Sequence, residues 1–143
     1  ITIGAAAPAV DVCSHPDLRA RFPGVVDAVH LIGSTQIQGR GSIGGNLCNG
    51  SPAADSTCAL IVNRAVAVIA GPSGGRTVPV EDFTTGPGRT VLRSDEMLVA
   101  VRLPLPPPRT ADAYLRLIPR SEMDIAVASA GVSVTLDAAG VCT

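Results

Sequence analysis

Apolar and polar positions change rhythm several times along the chain, and each rhythm predicts an element. "ITIGAA" alternates and ends in small residues, which predicts a short strand. From Asp11 to Arg21, "DVCSHPDLRAR" is polar and carries one proline, so it predicts a poor helix followed by a turn at "FPG". "GVVDAVHLIGS" sets Val25, Val29 and Ile32 on one side at helical spacing, with Gly33 and Ser34 to end it. His30 lies on this helix and reads as a surface or core-edge histidine. Ser51 and Pro52 suit an N-cap and a first helical residue, and "AADSTCALIVNRA" continues as a helix with a buried apolar side.

Further on, "AVAVIAG" and "RTVPV" flank "PSGG", so residues 65–80 predict a hairpin. "EDFTTGPGRTVL" reads as a compact loop with a helical turn, and "EMLVAVRLPL" as a strand. The proline segment "PLPPPR" can neither pair inside a sheet nor continue a helix, which makes it the natural boundary. Beyond it, "ADAYLRLIP" and "DIAVASAGVSVTLD" alternate as strands. Strands and helices mix without regular β-α-β alternation, which favours α+β. The expected division is 1–103 as one domain, 104–110 as a proline-rich connection and 111–143 as the beginning of a second domain. A strand pattern already under way at Ile1 and a stop just after a turn at "GVCT" lead to the expectation of a piece of a longer polypeptide.

Composition narrows the function. The 143 residues are 46% hydrophobic, enough for a core, with two Phe, one Tyr and no Trp. Aromatic platforms for single-stranded nucleic acid are therefore not expected. Eleven basic and twelve acidic residues leave a net charge of -1, so binding to a phosphate backbone or a membrane surface by bulk charge is not indicated. No apolar run approaches the ~18 residues that span a bilayer. The four cysteines and two histidines show no zinc spacing, and free thiols in the cytoplasm are the expected state.

The stretch "GSIGGNLCNGSPAADS", residues 41–56, is the candidate site. Gly39, Gly41 and Gly44 spell G-x-G-x-x-G, but a dinucleotide fingerprint must leave a strand and meet an acidic residue about 20 residues on, and neither holds here. A plain glycine-rich connection would explain the glycines and the Asn46 and Asn49 positions. An anion cradle explains more. Ser42 offers a hydroxyl, Gly44 and Gly45 let N–H groups converge, Asn46 adds an amide, and the next helix start adds a positive dipole end. Without a lysine, this suits a cofactor diphosphate better than a nucleoside triphosphate.

Three blocks in order, "STQIQGRGSIGGNLCNGSPAADS", "VPVEDFTTGPGRTVLRSDEMLVAVRLP" and "AYLRLIPRSEMDIAVASAGVSVTL", resemble the FAD-binding medium subunit of the molybdenum hydroxylase family, which includes xanthine dehydrogenase and aerobic carbon monoxide dehydrogenase. The resemblance implies the second subdomain of a vanillyl-alcohol-oxidase-like (PCMH-type) FAD domain, then the start of a C-terminal α+β domain. It implies FAD contacts from Ser42, Ile43, Gly44, Gly45 and Asn46 on the diphosphate, from Asp55, from Ile32 and Leu98 against the flavin, and from Arg116 near the ring, where many relatives have lysine. An earlier glycine-rich diphosphate loop of the family is expected upstream of Ile1. The implied role is electron transfer in an oxidoreductase: an iron–sulfur small subunit with [2Fe-2S] clusters passes electrons from a molybdenum-binding large subunit to FAD, and FAD to an external acceptor. No acid–base residue and no metal ligand is expected on this chain. The rival reading is a non-catalytic assembly domain whose glycine loop is structural, and a pyridine-nucleotide enzyme is the third.

Overall fold

The computed structural model describes residues 1–120 and 123–143; Ser121 and Glu122, inside the third resembling block, lie outside it. The architecture is α+β, as the mixed order of elements predicts. Strand β1 (Thr2–Gly4) is followed by a helical run: α1 (Ala9–Ser14), α2 (Pro16–Arg21), α3 (Pro23–His30), α4 (Thr35–Gln38), α5 (Ile43–Cys48) and α6 (Asp55–Val62). Strands β2 (Val66–Gly71) and β3 (Gly74–Pro79) form the expected hairpin, and a 3₁₀ turn at Val80–Asp82 leads to the small pair β4 (Thr84–Gly86) and β5 (Arg89–Thr90). Then come β6 (Met97–Arg102), the unpaired proline segment, and the long pair β7 (Thr110–Leu117) and β8 (Ala128–Thr135).

Two prolines act differently from the expectation. Pro16 and Pro23 both sit in the first turn of a helix, where a missing N–H costs nothing, so "FPG" opens α3 and does not form a turn. Val25 and Val29 are fully buried on α3, and Ile32 packs part-buried just past its end.

The four-stranded sheet has the order β1-β6-β2-β3, all antiparallel. On β6 the register slips: Val68 pairs with Ala100 but Ile69 with Leu98, leaving Val99 bulged. The bulge turns Leu98 and Val101 to the same face, and both enter the core beside Ile3, Ala67 and Ile69. The Leu103 N–H donates to the Ile1 carbonyl at 2.8 Å and extends the β1–β6 pairing.

The β7–β8 hairpin packs on α3 and α6 with its polar face. Asp112 accepts the Gly24 N–H at 3.1 Å and the Asn63 side-chain amide at 2.7 Å, while Thr110 and Thr135 share a hydrogen bond across the strands. Leu115, Leu117, Val132 and Val134 point the other way and are exposed. Backbones approach closely enough that only glycine fits: a Cβ on Gly24 would lie 2.8 Å from the Ala113 backbone, and one on Gly131 2.9 Å from the Cys58 carbonyl. Among the described residues no helix is long and apolar enough to cross a membrane, and all four cysteines are free.

Candidate functional site

The glycine loop is in fact a capped helix. Ser42 is the N-cap of α5, in extended backbone, and its Oγ accepts the Gly45 N–H at 3.1 Å. The expected helix start at Ser51 and Pro52 is not found. Gly50, with φ +60, ends α5, Ser51 accepts the Ala53 N–H within a turn, and α6 begins only at Asp55 with Ala54 as its N-cap. Two glycines in six residues hid α5, because glycine is the weakest helix former after proline.

The two glycines do different work. Gly44 is buried and faces inward: its N–H donates to the Ala5 carbonyl at 3.1 Å, and an added Cβ would lie 2.7 Å from the Ala5 Cβ. Gly45 is exposed, with only the Ser42 hydroxyl near its missing side chain. Neither N–H is therefore open in this structure, and the donors left at the start of α5 include the Ser42 hydroxyl hydrogen and the amide of Asn46.

Asn46 is oriented by α6. Ala54 offers no side-chain cap, and Asn46 replaces it from outside: its Oδ1 accepts the Ser56 hydroxyl at 2.7 Å and the Ser56 backbone N–H at 3.4 Å. Because Ser56 N–H can only donate, the oxygen of Asn46 must face it, which leaves Nδ2 without a partner among the described residues. No buried side-chain nitrogen or oxygen there lacks a partner, so Nδ2 is accessible from outside. A hydroxyl and an amide at a helix start are donors that suit diphosphate oxygens.

One residue along, Asp55 occupies the first turn of α6 and is buried. Tyr114 donates to its Oδ1 at 2.9 Å, and Arg116 Nη1 reaches both oxygens, at 3.3 and 3.1 Å. Burial above all, together with the bond to Asp55, pushes the Tyr114 hydroxyl up to about 12, so it stays a donor. Asp55 and Arg116 form part of the wall of a cleft of about 190 Å³, with Leu31, Gly33, Ser51 and Asp124. Asp124 is held below the usual carboxylate range, first by Arg120, which donates to both its oxygens.

Of the site residues read from the sequence, the structure thus joins Ser42–Asn46 to Asp55 through Ser56, and Asp55 to Arg116. Ile32 lies between Leu31 and Gly33 of the cleft wall and is part-buried. Ile43 is buried beneath α5. Leu98 stands apart, 5% exposed in the core and in register with Ile69. Tyr114 and Ser56 are missing from the sequence reading. Tyr114 was within reach of it, since it shares a strand face with Arg116 at a spacing of two. Burial pushes the Cys13 and Cys48 thiols up, so neither is an activated nucleophile at neutral pH, and no cluster of metal-binding side chains exists among the described residues.

Comparison with known proteins decides the family. Residues 1–106 match the family described as the FAD binding domain in molybdopterin dehydrogenase. The chain belongs to that family. It is 34% identical to the nicotinate dehydrogenase FAD-subunit of Eubacterium barkeri, over all of this chain and 49% of the relative. It is 37% identical to the carbon monoxide dehydrogenase medium chain of Hydrogenophaga pseudoflava, over 82% of this chain and 41% of the relative. A solved carbon monoxide dehydrogenase from the same organism superposes with a TM-score of 0.92 at 34% identity, covering 99% of this chain and 49% of that one. The chain of this FAD-binding family spans about half the length of the curated relatives it matches.

Proposed function

We propose that the chain forms one wall of the FAD site in the flavin subunit of a molybdenum-containing dehydrogenase. The match of residues 1–106 to FAD-binding domains carries the reading. Residues 1–103 act as the second subdomain of a PCMH-type FAD domain, 104–110 as the connection, and 111–143 as the start of the C-terminal domain. Ser42 and Asn46 hold a diphosphate oxygen from the start of α5, with exposed Gly45 leaving room for it and Ile43 and Gly44 fixing the helix beneath. Arg116, oriented by Asp55, faces the ring and Ile32 backs it with apolar contact; Leu98, which the resemblance also assigns to the flavin, lies in the core apart from this cleft. FAD, when bound, supplies the redox chemistry; this chain's residues bind it, orient it and tune its potential. The partners in this reading are an iron–sulfur small subunit and a molybdenum-binding large subunit, the acceptor is external, and the setting is cytoplasmic.

One observation favours a structural role for the loop: the Gly44 and Gly45 N–H groups are both engaged within the chain. Thermal unfolding of the full-length protein with added cofactor separates the readings. FAD at 100 times its Kd adds about 2.7 kcal/mol of stability and raises Tm by several degrees, while NAD adds nothing. No shift with FAD leaves the assembly-domain reading, and a shift with NAD alone favours a pyridine nucleotide.

A further inference from the structure

Asp55 and Arg116 face the same cleft, but the two charges are not equally available to a ligand. Both Asp55 oxygens are engaged, by Tyr114 and by Arg116 Nη1. Arg116 uses only Nη1; its Nε and Nη2 have no partner among the described residues, although its side chain is 7% exposed. Since no buried side-chain nitrogen there is unpartnered, these N–H groups open onto the cleft that Arg116 lines. A ligand in the cleft therefore meets a row of donors, and its matching edge must carry acceptors.

What aims that row is a short relay. Tyr114 and Arg116 stand on the same face of β7, both over the first turn of α6. Tyr114 is 4% exposed and lies opposite Gly131, so the ring is wedged between the hairpin and α6; its hydroxyl donates to Asp55 at 2.9 Å, with the Ser129 hydroxyl also beside it. Arg116 bonds more closely to Oδ2, 3.1 Å, than to Oδ1, 3.3 Å, the oxygen that Tyr114 holds. With the hydroxyl gone, the carboxylate is free to rotate and take the guanidinium symmetrically, drawing its free edge away from the cleft.

We propose that Tyr114 is a positioning residue: by holding Asp55 through one oxygen, it turns the free N–H edge of Arg116 toward the acceptor edge of the bound flavin. This rests on the flavin reading above. Phenylalanine would fill the same space, so the hydroxyl is the informative atom. The tyrosine stays protonated for the reason already given.

The test is a double-mutant cycle in the full-length protein loaded with FAD, using Tyr114→Phe, Arg116→Gln and both together, read as FAD Kd, flavin midpoint potential and Tm. Tyr114→Phe is expected to weaken FAD about 5-fold, the size of one hydrogen bond, and to lower the potential in the same direction as Arg116→Gln. In the Arg116→Gln background the same substitution should change Kd less than about 2-fold. Equal effects in both backgrounds, or a fall in Tm with Kd and potential unchanged, would overturn the proposal and leave Tyr114 a core residue. If wild-type protein does not bind FAD, the flavin reading fails and takes the proposal with it. If Tyr114→Phe does not fold, 3-fluorotyrosine at position 114 keeps the shape and strengthens the donor: a rise in potential supports the relay and an unchanged potential refutes it.

Discussion

Glu96 shows how much one carboxylate can organise in this chain. It accepts Arg76 Nε and Nη2 at 2.7 Å each and the Arg93 N–H at 2.9 Å, while Arg76 also donates to the Val91 carbonyl. Strand β3 is thereby tied to the loop that enters β6. The hydrogen bonds from Arg76, helped by the Arg93 N–H, lower Glu96 from 4.5 to about 2. A carboxylate lowered in the folded state stabilises the fold above its unfolded value and loses that contribution as pH falls through its folded value. Tm should therefore decline between pH 4.5 and 2 more steeply in wild type than in Glu96→Gln; parallel curves would show that the clamp adds nothing. Among single residues, Ser42 and Asn46 stand out locally as small polar groups among glycines, whereas Asp55 and Arg116 are marked only by the resemblance to the family. Sequence reasoning did not see that Gly44 is needed to approach Ala5, a contact made by folding and invisible in the loop itself.

At the scale of elements, the hairpin β7–β8 was legible as two alternating strands, but the sense of the alternation was not. Asp112, Tyr114 and Arg116 point inward and Leu115, Leu117, Val132 and Val134 outward, the reverse of a strand laid on an aliphatic core. Period gives the strand; which face is buried depends on what it meets, here the Gly24 N–H at the start of α3, which Asp112 accepts, and the Asp55 carboxylate at the start of α6, to which Tyr114 and Arg116 donate. The β6 bulge and helix α5 were missed for related reasons: one is set by pairing across the sheet, the other by a cap that outweighs glycine's poor propensity. The hairpin's seat rests on backbone contact at Gly24. Gly24→Ala should lower the urea midpoint by about 1–3 kcal/mol of stability with m unchanged, whereas Gly39→Ala, with nothing within 4 Å, serves as a near-neutral control. Equal midpoints for both variants would mean the close approach at Ala113 is not tight.

For the whole molecule, the α+β class and the resemblance over the three blocks were readable, since spaced motifs in fixed order survive where individual positions drift. The helical middle was harder, because α1, α2 and α4 are too short to show a period and take shape from their neighbours. The central claim is that the exposed start of α5 lies on the FAD diphosphate. FAD titration by fluorescence quenching of the full-length protein, wild type against Gly45→Val and Ser42→Ala/Asn46→Ala, tests it most directly. Gly45 is the right glycine to change, because Gly44→Val would disturb the contact with Ala5 whatever binds outside. The account predicts that wild type quenches FAD fluorescence and that both variants weaken it at least tenfold, while Tm without FAD moves little in Gly45→Val and falls by a few degrees in Ser42→Ala/Asn46→Ala, which loses the caps of α5 and α6. Unchanged affinity in both variants would contradict it and return the loop to a structural role.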